Sequence, residues 1–292
     1  MSDDTDATPA ATAASAWEDI APHVLAFYRG VLQALHAAQV PFLVGGAFAF
    51  GWATGIRRAT KDLDLFLKRS DLERAFDALQ QAGYSTELSF PHWLAKVYGD
   101  EAFGDLIFNS GNGVSPVDDA WFMHAEPALM LGVPVQIAPV EETLLSKAFI
   151  MERERFDGAD VAHLLRARAE RLDWRRLLDR FGPYWRVLLG HLVLFGFIYP
   201  AERGRVPAWV MDELLARLQK EAEQGAVPIQ VCGGTLLSRE QYLPDVLHHG
   251  YQDGRIMPYG TMSADEVAQW TQAIPGRPGS GSGPAGDETG SD

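Results

Sequence analysis

The chain has a single cysteine, Cys232, among 292 residues. That excludes an intramolecular disulfide and any Cys-x-x-Cys metal cluster. One unpaired thiol suits a reducing compartment, so a cytoplasmic location is expected. Basic residues are also scarce: 25 Lys and Arg face 39 Asp and Glu, for a formal net charge of −14. Asp3, Asp4, Asp6, Asp287, Glu288 and Asp292 place part of this charge at the two ends, and the body between them is acidic too. Gripping a nucleic-acid backbone requires a basic surface for counterion release. A nucleic acid is therefore left only a local site, although a tRNA-like acceptor stays open. No apolar run reaches the roughly 20 residues that a bilayer demands. The most apolar stretch, residues 184–199, contains Arg186 and His191 and reads as a buried helix. The first residues, MSDDTDATPA, lack a cationic start and an apolar stretch, so no export signal and no membrane partner are expected. No internal repeat is visible.

What is present suits a globular protein. Apolar residues make up 47% and charged residues 22%, enough for a sizeable core. The length predicts about two domains of roughly 150 residues each. Residues 1–16 are small and polar, and residues 275–292 form a Gly/Ser/Pro tail; both read as disordered. Between them, residues 17–150 alternate helix and strand signals. Helices are expected over 22–38 and 47–54, and strands over 40–44, 62–67, 84–88, 94–98, 104–108 and 133–137. Ser70 and Glu73 have the spacing of a capping box, and Gly83 marks the end of the helix that follows. A helix is expected from Pro139 through Met151. Residues 151–274 then read as helical, with helices over 157–167, 172–181, 184–198 and 207–222, and Ser238 and Gln241 spaced as a second capping box. A sheet-bearing half followed by a helical half is an α+β order, with a mixed sheet in the first half.

The chemistry concentrates in residues 42–67, FLVGGAFAFGWATGIRRATKDLDLFL. A strand leads to Gly45-Gly46 at the start of a helix. Glycines there let a phosphate approach the backbone, and a helix N-terminus favours an anion. Asp62-Leu63-Asp64 follows on a strand. Residues two apart share a face, so Asp62, Asp64 and Phe66 point one way while Leu63, Leu65 and Leu67 point into the core. Two carboxylates on one face suit Mg²⁺ or Mn²⁺, which take carboxylates together with substrate phosphates. A third acid, Asp105, lies on a short strand that would complete a triad if it ran beside the first.

This order of strand, Gly-Gly, helix, Asp-x-Asp and a later single Asp resembles the nucleotidyltransferases of the DNA polymerase β superfamily. The likeness is greatest to small bacterial members, including those of abortive-infection and toxin–antitoxin systems. The resemblance covers about residues 40–165. It implies a mixed-sheet nucleotidyltransferase core, an NTP substrate, a Mg²⁺ or Mn²⁺ cofactor and transfer of a nucleoside monophosphate with release of pyrophosphate. It further implies that Gly45 and Gly46 hold the triphosphate, that Asp62 and Asp64 bind metal, and that Asp105 binds metal and helps activate the acceptor hydroxyl. Lys147 stands where the family has a phosphate-contacting lysine. Asp157 and Asp160 match the family's helical acidic motif loosely, since Gly158 intervenes and no Arg-Lys-Asp run precedes them.

Other residues have two readings. Arg57, Arg58 and Lys61 could neutralise phosphate charge, Arg58 above all, or be ordinary loop cations. Thr60 could bond substrate or its own loop. His92, Trp93 and Lys96 could face the same cleft, with packing the stronger reading for Trp93. Asp157 reads as a helix N-cap, and His248-His249 as surface. Two rivals compete with the transferase. A haloacid-type phosphatase would use the Asp pair as nucleophile and acid, but it leaves Gly45-Gly46 unexplained. A non-catalytic nucleotide sensor or toxin–antitoxin regulator would bind NTP without turning it over. The acceptor, whether RNA, a protein or a small-molecule hydroxyl, is not specified by these residues.

Overall fold

A computed structural model describes residues 20–58, 60, 62–225 and 229–274. The tails expected at 1–16 and 275–292, and Lys61, lie outside these residues. In chain order the elements of the sheet-bearing half are α1 (Pro22–Ala37), β1 (Leu43–Val44), α2 (Gly46–Thr54), β2 (Asp62–Phe66), α3 (Leu72–Gln81), β3 (Ser85–Phe90), β4 (Leu94–Tyr98), β5 (Phe103–Ile107), α4 (Asp119–Met123), β6 (Glu126–Met130) and β7 (Val133–Ile137). There follow α5 (Val140–Ala148), α6 (Gly158–Arg168), α7 (Trp174–Phe181), α8 (Trp185–Ile198), α9 (Ala208–Gln224), β8 (Val231–Cys232), α10 (Leu243–His248), β9 (Gln252–Asp253) and α11 (Ala264–Gln272).

Strands β1–β7 form one mixed sheet in the order β3-β4-β5-β2-β1-β7-β6. At its centre β2 runs parallel to β5 and antiparallel to β1. The alternation in β2 holds. Leu63 and Leu65 are fully buried in one cluster with Tyr28, Val31 and Leu32 of α1 and Leu72 and Leu79 of α3. Each buried leucine contributes about 1.5–3 kcal/mol. A slip of one residue would drive both aspartates into that cluster, so the apolar face fixes the register that presents the acids on the other. On that other face Phe66 packs against Trp121 of α4, with ring centroids 4.9 Å apart.

Helix α2 carries no charge, and its sequence GAFAFGWAT is apolar all round. Such a helix is stable only if covered on several sides. Ala49, Phe48 and Trp52 pack into the sheet cluster, while Phe50 belongs to a second cluster built by α5–α9. Helix α2 thus joins the two cores. In the second cluster α8 buries Leu188, Leu189, Leu192 and Phe195. Its outer face leaves Val193, Leu194, Phe197 and Ile198 exposed. The stretch Trp174–Ile198 is long and apolar enough to cross a membrane by length and composition. Here Gly182, at φ +46°, ends α7, and the inner face of α8 forms the core of the helical cluster.

Several local expectations fail. The capping box at 70–73 does not form: a 3₁₀ turn, Arg69–Asp71, leads into α3, and the Asp71 carboxylate accepts from Arg74 (3.1 Å) instead of capping. A full capping box forms at Ser263 and Glu266. The Ser238 hydroxyl accepts from Gln241 N–H (3.1 Å), but the next helix begins only at Leu243. Helix α5 stops at Ala148 rather than Met151. Strand β6 and helix α4 were not anticipated. Strand β6 pairs only with β7 and holds Pro127, so it has neither clean alternation nor strong strand propensity.

Candidate active site

The parallel pairing of β2 with β5 sets Asp64 directly beside Asp105 and Asp62 beside Phe103. An oxygen from each of Asp62, Asp64 and Asp105 lies within 4.8 Å of the others. All three residues are half-buried. Crowding has an electrostatic consequence. Burial, then the charges of Asp62 and Asp105, push the Asp64 carboxyl up to about 7, against a weaker opposing pull from Lys147 and Arg155. Burial likewise raises Asp105, which Lys96 partly offsets.

The three acids have different neighbours. Thr60 Oγ1 lies 3.0 Å from Asp62 Oδ1 and 2.9 Å from the Asp62 carbonyl, so Thr60 secures the strand start, as its loop-bonding reading proposed. Lys96, the cross-strand partner of Asp105 on β4, donates from Nζ to Asp105 Oδ1 at 2.8 Å. Tyr28 approaches from beneath. Its hydroxyl is buried with no hydrogen-bond partner among the described residues, and burial together with the charges of Asp62 and Asp64 pushes it up to about 12.

The glycines adjoin the acids. Gly46 sits at φ +53°, in the left-handed region where glycine is favoured. A Cβ there would overlap the Asp64 carboxylate, and one on Gly45 would overlap the Phe66 ring. Gly-Gly is therefore required by the protein's own packing, whatever else it binds. Gly45 N–H is committed to Asp64 O in the sheet (2.9 Å), so it is not a phosphate donor. The α2 ladder begins with Ala49 N–H to Gly45 O (3.0 Å), leaving the Gly46 and Ala47 N–H groups ahead of it at the helix N-terminus.

Cations gather on a neighbouring wall. Lys147 of α5 bonds Asp160 (2.6 Å) and Asp157 (2.9 Å) on α6 and the turn before it. Arg155 bonds Asp157 at 3.1 Å. Arg58 pairs with Asp160 and stacks over the Phe50 ring at 4.5 Å. Asp157 does not cap α6 with its side chain, contrary to the capping expectation, because its carboxylate is taken by Lys147 and Arg155. Burial would raise that carboxyl, but those two cations more than offset it and hold it below the usual range. Lys147 belongs to the sequence region 17–150 and Arg155, Asp157 and Asp160 to 151–274, so both regions build this wall.

The structure thus brings together Gly45, Gly46, Asp62, Asp64 and Asp105, and sets Arg58 and Lys147 in an ion-pair network with Asp157 and Asp160. Arg155 was missed. The sequence signal was weak, a lone arginine in a charged turn, yet its field reaches Asp64. His92 and Trp93 do not join the acids. His92 Nε2 bonds Gly111 O (3.2 Å), and Trp93 packs with Phe90 and Trp270 of α11. Of that trio only Lys96 reaches the site. His249 pairs with Asp245 at the surface.

The donor set fits a hard divalent cation. It comprises carboxylate oxygens only, packed closely enough that one acid holds its proton to near neutrality unless positive charge arrives. No family model matches the chain, and no curated protein matches it. Several solved structures are similar at low identity. The lincosamide antibiotic adenylyltransferase LnuA, bound to lincomycin, is 15% identical, with 48% of this chain and 94% of that chain covered and a TM-score of 0.35. ANT(2″)-Ia in complex with adenylyl-2″-tobramycin is 14% identical, with 60% and 98% covered and a TM-score of 0.35. JHP933 from Helicobacter pylori is 13% identical, with 69% and 94% covered and a TM-score of 0.30.

Proposed function

We propose that the protein is a Mg²⁺-dependent nucleotidyltransferase that moves a nucleoside monophosphate from an NTP to an acceptor hydroxyl and releases pyrophosphate. The observation that carries this reading is the convergence of Asp62, Asp64 and Asp105 beside the N-terminus of α2. A bare acidic cluster has many explanations. An acidic cluster next to helix N–H groups and a cation wall has donors for both the metal and the phosphates of one ligand.

Each side chain has a task in this reading. Asp62 and Asp64, with an oxygen of Asp105, would hold the divalent cation, which would neutralise triphosphate charge. The Gly46 and Ala47 N–H groups cradle phosphate oxygens. Lys147, Arg155 and Arg58 supply positive charge on the pyrophosphate side, oriented by Asp157 and Asp160. Asp105, on the side away from Lys147, accepts the proton of the acceptor hydroxyl as its oxygen attacks the α-phosphorus. The new O–P bond forms as the bond to the β-phosphate bridging oxygen breaks, and pyrophosphate leaves with that electron pair.

The test is to incubate the full chain with each labelled NTP, Mg²⁺ and cell extract, following pyrophosphate release and label transfer. Release that depends on extract and disappears in Asp62→Asn supports the transferase. NTP binding with no release in any combination leaves the sensor reading in its place. Asp105→Asn separates the two further. It should keep NTP affinity within a few-fold while transfer falls by roughly 10²-fold or more, the contribution of a positioned base.

A further inference from the structure

The three carboxylates are not equivalent, and the difference lies in Lys96. Asp62 has a neutral hydroxyl partner in Thr60. On Asp64, Lys147 and Arg155 act through their fields. Among the described residues, Asp105 is the member of the three with an ammonium bonded to it, at 2.8 Å. This pair is not a chance surface contact. Strand register fixes Lys96 opposite Asp105, the lysine side chain is 23% exposed and that of Asp105 15%, and Lys96 Nζ stands 4.5 Å from the centroid of the Phe103 ring. Packing on an aromatic face at that distance favours a cation. The ammonium therefore has a built position at the edge of the triad.

That position puts Lys96 in conflict with a divalent cation. A metal shared by all three carboxylates needs an oxygen of Asp105, and Oδ1 of Asp105 is already bonded to Lys96. The ammonium also lowers the net negative charge that attracts the metal. Resting on the transferase reading, we propose that Lys96 is an internal competitor for the metal at Asp105. The free protein then binds the divalent cation weakly, and the cation is retained only together with the triphosphate, whose oxygens supply the ligands and charge that Lys96 withholds. Lys96 is a positioning residue here. It acts through Asp105 and makes the metal arrive with its nucleotide.

The experiment is a titration of the full chain with Mn²⁺ alone, followed by electron paramagnetic resonance of the free ion, with and without a non-hydrolysable NTP. Lys96→Met keeps the side-chain stem on Phe103 and removes the charge. It should tighten Mn²⁺ binding in the absence of nucleotide by about tenfold, equivalent to loss of one competing charge-assisted hydrogen bond. The gain should shrink to two- or threefold when the NTP analogue is present. Lys96→Arg should stay near the parent protein. In an Asp105→Asn background, Lys96→Met should give little or no tightening, because the contested carboxylate charge is replaced by a neutral amide that is a poor ligand. Equal Mn²⁺ affinity in Lys96→Met and the parent, with Mn²⁺ bound in both, overturns the proposal and leaves the transferase reading standing. If neither protein binds Mn²⁺ with or without the NTP analogue, both the proposal and the metal-dependent transferase reading fall. Circular dichroism and melting of each variant verify that the fold is retained.

Discussion

Gly46 and Asp64 are packed so closely that any side chain on Gly46 would overlap the Asp64 carboxylate, and Gly46 also has φ +53°. The glycine thus helps set the position of the Asp64 carboxylate. Gly46→Ala should cost roughly 1–2 kcal/mol from the left-handed backbone alone, and should displace Asp64 as well. Thermal unfolding and Mn²⁺ titration read the two effects. A folded Gly46→Ala protein with parental Mn²⁺ and NTP affinity would show that the contact tolerates a methyl group and that Gly46 is a plain turn glycine.

Asp64→Asn is expected to separate stability from activity. In the cation-free protein Asp64 is pushed up to about 7 by burial and by Asp62 and Asp105. Replacing it with a neutral isostere relieves that repulsion, so the melting temperature without metal should rise or stay level. Transfer should drop by roughly 10²-fold or more. Asp62→Asn should lose activity to a similar extent. Full activity in either variant with Mg²⁺ present rejects the metal assignment.

The same acid predicts a pH dependence with a definite sign. An unfolded aspartate releases its proton near pH 4, whereas Asp64 in the folded protein keeps it to about 7. Between these values the folded state holds the extra proton, so Asp64 makes stability fall as pH rises through roughly 4 to 7 and has no further effect above. On the proposed metal assignment, a divalent cation at Asp64 would have to expel that proton. Calorimetric Mn²⁺ titrations in buffers of different ionisation enthalpy should show proton release at pH 6 that fades above pH 8. Asp64→Asn should show none from this position. Proton release that is the same at pH 6 and pH 8.5 is incompatible with Asp64 as the titrating ligand.

Lys147 holds Asp157 and Asp160 together, with side chains 16%, 11% and 4% exposed respectively. Lys147→Gln leaves two buried carboxylates facing each other, with Arg155 and Arg58 as their remaining cations among the described residues. A loss of about 3 kcal/mol is expected, at the lower end for breaking a buried pair. NTP affinity should fall too if Lys147 contacts phosphate. Asp160→Asn is the control: it loosens Lys147 and Arg58 but retains both cations. Denaturant unfolding together with NTP titration decides the matter. A Lys147→Gln protein that is less stable but binds NTP normally would assign Lys147 a structural task only.

By itself the sequence determined the period-2 pattern of β2, and with it which face carries Asp62 and Asp64, because Leu63 and Leu65 have to be buried. It also determined the glycine positions and the order of sheet before helices, since apolar spacing and turn residues act over a few neighbours. What it left open was decided by contacts distant in the chain. Asp105 joins the triad only because β5 pairs in parallel with β2 across about 40 intervening residues. Lys96 reaches the site, and its neighbours His92 and Trp93 do not, because the β4–β5 register places Lys96 opposite Asp105 while the preceding turn packs under Trp270. Asp157 turned from helix cap to cation holder because Lys147 and Arg155 compete for its oxygens more strongly than a backbone N–H does. Local sequence sets a residue's face, whereas the partners across that face come from strand register and helix packing, which no short window of sequence contains.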